Sequence, residues 1–125
     1  MTEKKPLKIS IITATYNSEK TILDTISSLE QQTYQNIEFI VIDGASNDKT
    51  VELIKKNSTR ITKIISEPDK GIYDALNKGL KVVTGDVVGF LHSDDLFASN
   101  TAVENIVAKF NSTNSDAVYG DLKYV

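Results

Sequence analysis

Four times along this chain a short apolar run stops at a polar loop and is followed by apolar residues at helical spacing. No other feature restricts the fold as much. Lys8-Ile9-Ser10-Ile11-Ile12 is the first run, rich in β-branched residues and preceded by Pro6, and it reads as a buried strand ending at Thr13. Ile22, Ile26 and Leu29 then recur at i, i+4, i+7, which predicts a helix to about Gln32, with Asn17 or Ser18 as its cap. The second unit is a strand over Asn36 to Asp43, a turn from Gly44 to Asp48 with its own capping candidates, and a short helix carrying Val51 and Ile54. The third is a strand at Thr62 to Ser66, a loop from Glu67 to Gly71 that Pro68 and Gly71 keep from continuing the strand, and a helical face of Ile72, Leu76 and Leu80. The fourth runs from Asp86 to Leu91 into Asp94 and Asp95. A helix capped near Ser99 or Asn100 follows, with Val103, Ile106, Val107 and Phe110 inward. Beyond Asn111 to Asn114, the segments Ala117 to Tyr119 and Leu122 to Val125 read as a last strand.

Strands alternating with single helices pair in parallel through right-handed crossovers, so the expected class is α/β, a mostly parallel sheet with helices on both faces. At 125 residues and 40% hydrophobic content the chain suits one domain, and strand-like material at its end predicts a fragment of a longer protein. It contains no cysteine, which removes thiolate nucleophiles and zinc ribbons and fits a reducing, cytoplasmic setting. Any metal must then use oxygen ligands or the lone His92. A net charge of -3 provides no basic field for nucleic acid. No run approaches the ~20 apolar residues of a membrane span.

In a parallel sheet every strand exits on one edge, so the loops at Thr13 to Asn17, Asp43 to Asp48, Glu67 to Gly71 and Ser93 to Asp95 converge where open α/β folds bind ligands. Each loop alone is consistent with a solvated turn. Jointly, with two strands running into Asp, they read as a site. Ala14-Thr15-Tyr16-Asn17 lacks the glycines of a dinucleotide fold, and no P-loop is present. A phosphate-bearing ligand would therefore be held through Mg²⁺ or Mn²⁺, which take one or two carboxylates and complete their octahedron with phosphate oxygens and water. Adjacent acids diverge, which assigns Asp95 to the metal and Asp94 to a sugar hydroxyl. His92 alternates with Leu91 and is expected to point into packing.

Four blocks, Ile11 to Asn17, Val41 to Thr50, Glu67 to Gly79 and Gly85 to Asp95, resemble family 2 glycosyltransferases over nearly the whole chain. The resemblance implies the Rossmann-like GT-A nucleotide-diphospho-sugar transferase fold, and makes residues 1–125 a donor-binding domain that lacks an acceptor-binding C-terminal part. It implies an inverting transfer of sugar from a nucleoside-diphosphate donor, UDP- or TDP-type, to an acceptor hydroxyl in surface polysaccharide or glycolipid synthesis. By the same resemblance Thr15 and Tyr16, with Ala14, line the nucleobase pocket, Asp43 accepts from the base, Lys70 lies near base or diphosphate, Asp94 contacts ribose and Asp95 coordinates the metal. The general base is expected beyond Val125. Peripheral association with the inner face of the membrane and a homodimer are further expectations for the full-length protein.

Several residues keep two readings. Tyr16 offers a flat face for a base, or packs under its own helix. Asp43 suits the ring N–H of uracil or thymine, or caps the next helix. Asn77 and Tyr73, one turn apart, face either the cleft or solvent. Two departures from the common family pattern stand out: Gly44 where many members have a second acid, and His92-Ser93 before the paired acids. The rival readings are a non-catalytic α/β ion- or protein-binding domain, and a nucleotidyltransferase, which a first loop without Gly-rich, Arg-bearing sequence disfavours.

Overall fold

The computed structural model describes residues 7–94, 96–97 and 99–113, with side chains through residue 109. These residues form β1 (Ile9–Thr15), α1 (Ile22–Glu30), β2 (Ile37–Asp43), α2 (Thr50–Asn57), β3 (Ile61–Ser66), α3 (Ile72–Leu80), β4 (Val87–Phe90) and α4 (Ala102–Thr113). The four strands lie in the order β3-β2-β1-β4 and every pairing is parallel, as the alternation of strands and helices predicts. The last strand expected near Val118 lies outside the described residues, as does Asp95, and nothing is described of the Phe110 side chain.

The central strands are buried on both faces, and this is why their sequences read as unbroken apolar runs. Ile9 and Ile11 point to one layer with Phe39, Val41, Ile22, Ile26, Leu29, Ile54, Val103 and Val107. Ile12 points to the other, with Ile40, Ile42 and Ala75. Helices α1, α2 and α4 thus cover one face and α3 the opposite one. β1 runs two residues further than predicted, because Thr13, Ala14 and Thr15 continue the ladder against Val41, Ile42 and Asp43. A polar sequence there does not end the strand, since the ladder is a backbone property.

The inward face of α3 is not the Ile72, Leu76, Leu80 stripe. Ala75 and Gly79 are its buried residues, Leu76 is half-buried, and Ile72 and Leu80 are exposed. Small residues let the helix lie close on β1, where a Cβ added at Gly79 would stand 2.7 Å from Ile12 Cγ2. The cap of α1 also differs from expectation. Neither Asn17 nor Ser18 gives a side-chain cap, and the Ser18 carbonyl instead accepts from the Thr21 and Ile22 N–H groups.

At the edge opposite the predicted site, Glu38 is buried and ties three segments together. Its Oε2 accepts from Ser10 Oγ at 3.2 Å and Thr84 Oγ1 at 2.7 Å, and Lys8 Nζ lies 3.3 Å away. Burial alone would raise its pKa, but the bonds from Thr84 and the Lys8 ammonium outweigh burial and hold the carboxyl below the usual range. No helix among the described residues is long and apolar enough to cross a membrane.

Candidate active site

At the carboxyl edge of the sheet the loops converge as the parallel topology requires, and they are tied to one another by side chains. Asn17 sits at φ 47°, the left-handed region that asparagine tolerates. Its N–H donates to Ser46 Oγ at 2.8 Å, and its Oδ1 accepts from the Asn47 N–H at 2.8 Å. The Ser18 N–H donates to Thr50 Oγ1 at 2.7 Å. These bonds take the place of side-chain capping: the first loop is fastened to the second, and to its own helix only through the Ser18 carbonyl.

The first loop also holds the fourth. Ser18 Oγ accepts from the Tyr16 N–H and lies 3.1 Å from Ser93 Oγ, while Thr25 Oγ1 donates to the Ser93 carbonyl at 3.0 Å. Ser93 is therefore fixed on both sides of its peptide, and the adjoining Asp94 is presented to solvent. His92 is exposed too, contrary to the packing expected of it: it alternates with the buried Leu91 and falls on the same side as the exposed Phe90.

Between these loops and α3 lies an open cleft of about 330 Å³. Ala14, Thr15 and Tyr16 line one side, Asp69, Gly71, Ile72 and Ala75 the other, and Ser93 closes it. Tyr16 is 61% exposed, so its ring does not pack beneath its helix but stands free at the cleft. The Ala14, Ile72 and Ala75 side chains give the cleft apolar walls.

Asp43 is not on this surface. It is fully buried behind Thr15, and its carboxylate takes hydrogen bonds from Thr15 Oγ1 at 2.7 Å, Ser46 Oγ at 2.5 Å, the Ser46 N–H at 2.8 Å and Ser66 Oγ at 2.8 Å. Burial raises the pKa of such a group, but these donors outweigh it and keep the carboxyl below the ordinary aspartate range. Asp43 does not cap α2 either. The N-cap of α2 is Lys49, which makes no side-chain cap, while Asp48 Oδ1 just before it accepts from the Thr50 N–H at 3.0 Å.

Of the other predicted residues, Lys70 is exposed between two cleft residues, and its N–H donates to Asp74 Oδ2 at 2.9 Å. Asn77 is exposed and does not line the cleft: Ala75 faces the cleft, and two residues along a helix turn the next side chain about 200° away. Tyr73, at 81% exposure, is likewise absent from the lining. The cleft adds Asp69, Gly71, Ile72, Ala75 and Ser93, none of which is assigned a ligand contact from sequence, although the 67–71 and 93–95 loops are expected at this edge. Asp69 Oδ1 accepts from the Gly71 N–H at 3.1 Å, and Gly71 takes φ 117°, where a side chain is disfavoured. Asp two residues before Gly at a helix start is a turn signal that could have singled out Asp69 within this loop.

Among the described residues no three His, Cys, Asp or Glu side chains form a cluster that could hold a metal ion, and Asp94 is exposed.

The sequence profile described as Glycosyl transferase family 2 matches residues 10–125. The chain is 35% identical over 118 residues to the UDP-Glc:alpha-D-GlcNAc-diphosphoundecaprenol beta-1,3-glucosyltransferase WfgD of Escherichia coli, covering 94% of this chain and 46% of that protein. It is 41% identical over 98 residues to WfaP of the same species, which bears the same activity name, covering 78% of this chain and 39% of that protein. Among solved structures, Staphylococcus aureus TarS 1-349 superimposes with a TM-score of 0.81 at 30% identity, over 87% of this chain and 34% of that one. A structure of the same TarS fragment contains UDP-GlcNAc, at 28% identity. The mannosyltransferase PcManGT of Pyrobaculum calidifontis, in complex with GDP-Man and Mn2+, matches the fold with a TM-score of 0.76 at 24% identity, over 85% of this chain and 33% of that one. The chain thus spans less than half the length of the curated relatives it matches.

Proposed function

The chain belongs to glycosyl transferase family 2 and has its GT-A fold, and on that footing we propose that its cleft holds a nucleoside-diphosphate sugar, UDP- or TDP-linked, for inverting transfer of the sugar to an acceptor hydroxyl. One observation carries this reading: Tyr16, whose ring is exposed at the cleft, and Ser93, which precedes the exposed Asp94, are both held by the Ser18 hydroxyl. A ligand with a flat base at one end and a charged diphosphate at the other would span that arrangement. The donor names of the relatives, UDP-Glc and UDP-GlcNAc, favour uridine.

In this reading the Tyr16 ring stacks on the base, and the walls of Ala14, Ile72 and Ala75 exclude water from its faces. Asp94 accepts from a ribose hydroxyl. The bonds from Ser18 and Thr25 hold Ser93, the residue before Asp94. Asp95 holds Mg²⁺ or Mn²⁺, which when bound neutralises charge on the leaving diphosphate. The carboxylate that takes the acceptor's proton is assigned to a part of the protein beyond residue 125, together with acceptor binding and any membrane or dimer contact. Surface polysaccharide or glycolipid synthesis at the inner face of the membrane is the setting that fits.

The test is a transfer assay on the longer protein and on the 125-residue chain, following nucleoside-diphosphate release from UDP-, TDP- and GDP-glucose with an undecaprenyl-diphosphate-linked acceptor. The longer protein should turn over a UDP- or TDP-sugar while the chain alone binds but does not transfer. Turnover by the chain itself would refute the division of labour, and no use of any donor by the longer protein would refute the function.

A further inference from the structure

The residue that best fits a donor's base is not the one the family pattern points to. Asp43 has no exposed surface, and both of its oxygens are taken by protein donors, so contact with a ring N–H would require it to surrender one of them. Asp69, by contrast, lines the cleft with Tyr16 and Thr15. One of its oxygens, Oδ1, holds the Gly71 N–H, and among the described residues no hydrogen-bond donor reaches Oδ2. The residue after Asp43 is Gly44, and Asp69 occupies the room its missing side chain leaves: a Cβ at position 44 would stand 2.9 Å from Asp69 Oδ2 and 3.3 Å from its Cγ.

We propose that Asp69, admitted by Gly44, is the residue that reads the base, accepting the ring N–H of uracil or thymine while the Asp43 carboxylate serves only to hold the loops. Cytosine has an unprotonated nitrogen at that ring position, which would face the carboxylate unfavourably, so the arrangement selects uridine or thymidine nucleotides over cytidine. The inference rests on the donor-site reading above, and deepens it to base specificity.

Calorimetric titration of UDP and of CDP in Mn²⁺ into the full chain, Asp69→Asn, Gly44→Ala and Asp43→Asn tests it, with far-UV circular dichroism to confirm folding. A charge-assisted bond lost from the base should weaken UDP about tenfold or more in Asp69→Asn, while CDP, relieved of the facing carboxylate, binds as well or better, which erases the preference. Gly44→Ala removes no charge but displaces the Asp69 carboxylate, and should reproduce the loss of preference. Unchanged UDP affinity and preference in folded Asp69→Asn overturns the proposal alone, and so does a preference that disappears only in Asp43→Asn. No binding of either nucleotide by the unsubstituted chain overturns the donor-site reading with it.

Discussion

Replacing Asp43 by alanine removes the acceptor of four hydrogen bonds in a fully buried position, and the cost can be worked bond by bond. Three of the abandoned donors are hydroxyls, from Thr15, Ser46 and Ser66, which can rotate toward other acceptors. The fourth, the Ser46 N–H, cannot. Bonds to a charged acceptor contribute roughly 1.5–3 kcal/mol each, and hydroxyls that find new partners recover part of that, so Asp43→Ala should cost about 3–5 kcal/mol in all. Against a domain stability of about 5–15 kcal/mol this is a large fraction. It corresponds to a melting temperature lower by about 10 °C or more at this chain length. Asp43→Asn keeps the shape and one oxygen for the Ser46 N–H and the Ser66 hydroxyl, while the Thr15 and Ser46 hydroxyls can turn to accept from its two amide hydrogens, so its cost should fall to about 1–2 kcal/mol. Thermal and urea unfolding of the two variants beside the parent chain measure both figures. If Asp43→Ala melts within about 2 °C of the parent, the carboxylate does not hold these loops together, and the reasoning fails.

Gly79→Ala gains about 1 kcal/mol of helix propensity but forces a methyl against the buried Ile12 at 2.7 Å, an overpacking that costs about 1–3 kcal/mol; urea unfolding should show a net loss, and a gain would mean α3 can move off β1. Asp43 and Glu38 both titrate lower in the folded chain than unfolded, so they contribute stability that is complete above their unfolded pKa values near about 4 and is lost as pH falls through the lower folded ones. Unfolding free energy measured from pH 7 down to pH 3 should decline below about pH 4.5, less steeply in Glu38→Gln. Tyr16→Phe keeps the exposed ring and should bind UDP as the parent does, whereas Tyr16→Ala should lose about tenfold or more in a fluorescence or calorimetric titration with no change in melting temperature.

What could be read from the sequence followed from burial. Ile9 to Ile12 and Phe39 to Ile42 lie in central strands covered on both faces, so their apolar runs announce the sheet, and the sheet's parallel order then brings the loops together without further information. The inward face of α3 was hidden because the close contact is made by Ala75 and Gly79, whose small size gives no hydrophobic signal, while the larger Ile72 and Leu80 stand exposed. The role of Asp43 was hidden for another reason. Its partners Thr15, Ser46 and Ser66 belong to three segments, and hydroxyls that are unremarkable one by one become a cage only when the strands register. Ser18 and Asn17 look like caps in a local window, but neighbouring loops offered better partners at the site.

The central claim, that this edge of the sheet binds a nucleoside diphosphate through a carboxylate-held cation, is tested most directly by titrating UDP into the chain with Mn²⁺ and again with EDTA, beside Asp95→Ala. UDP should bind the parent chain tightly only with Mn²⁺, and Asp95→Ala should bind weakly and equally in both conditions. Affinity that is the same with and without the cation in the parent, or that depends on it equally in Asp95→Ala, would contradict the account.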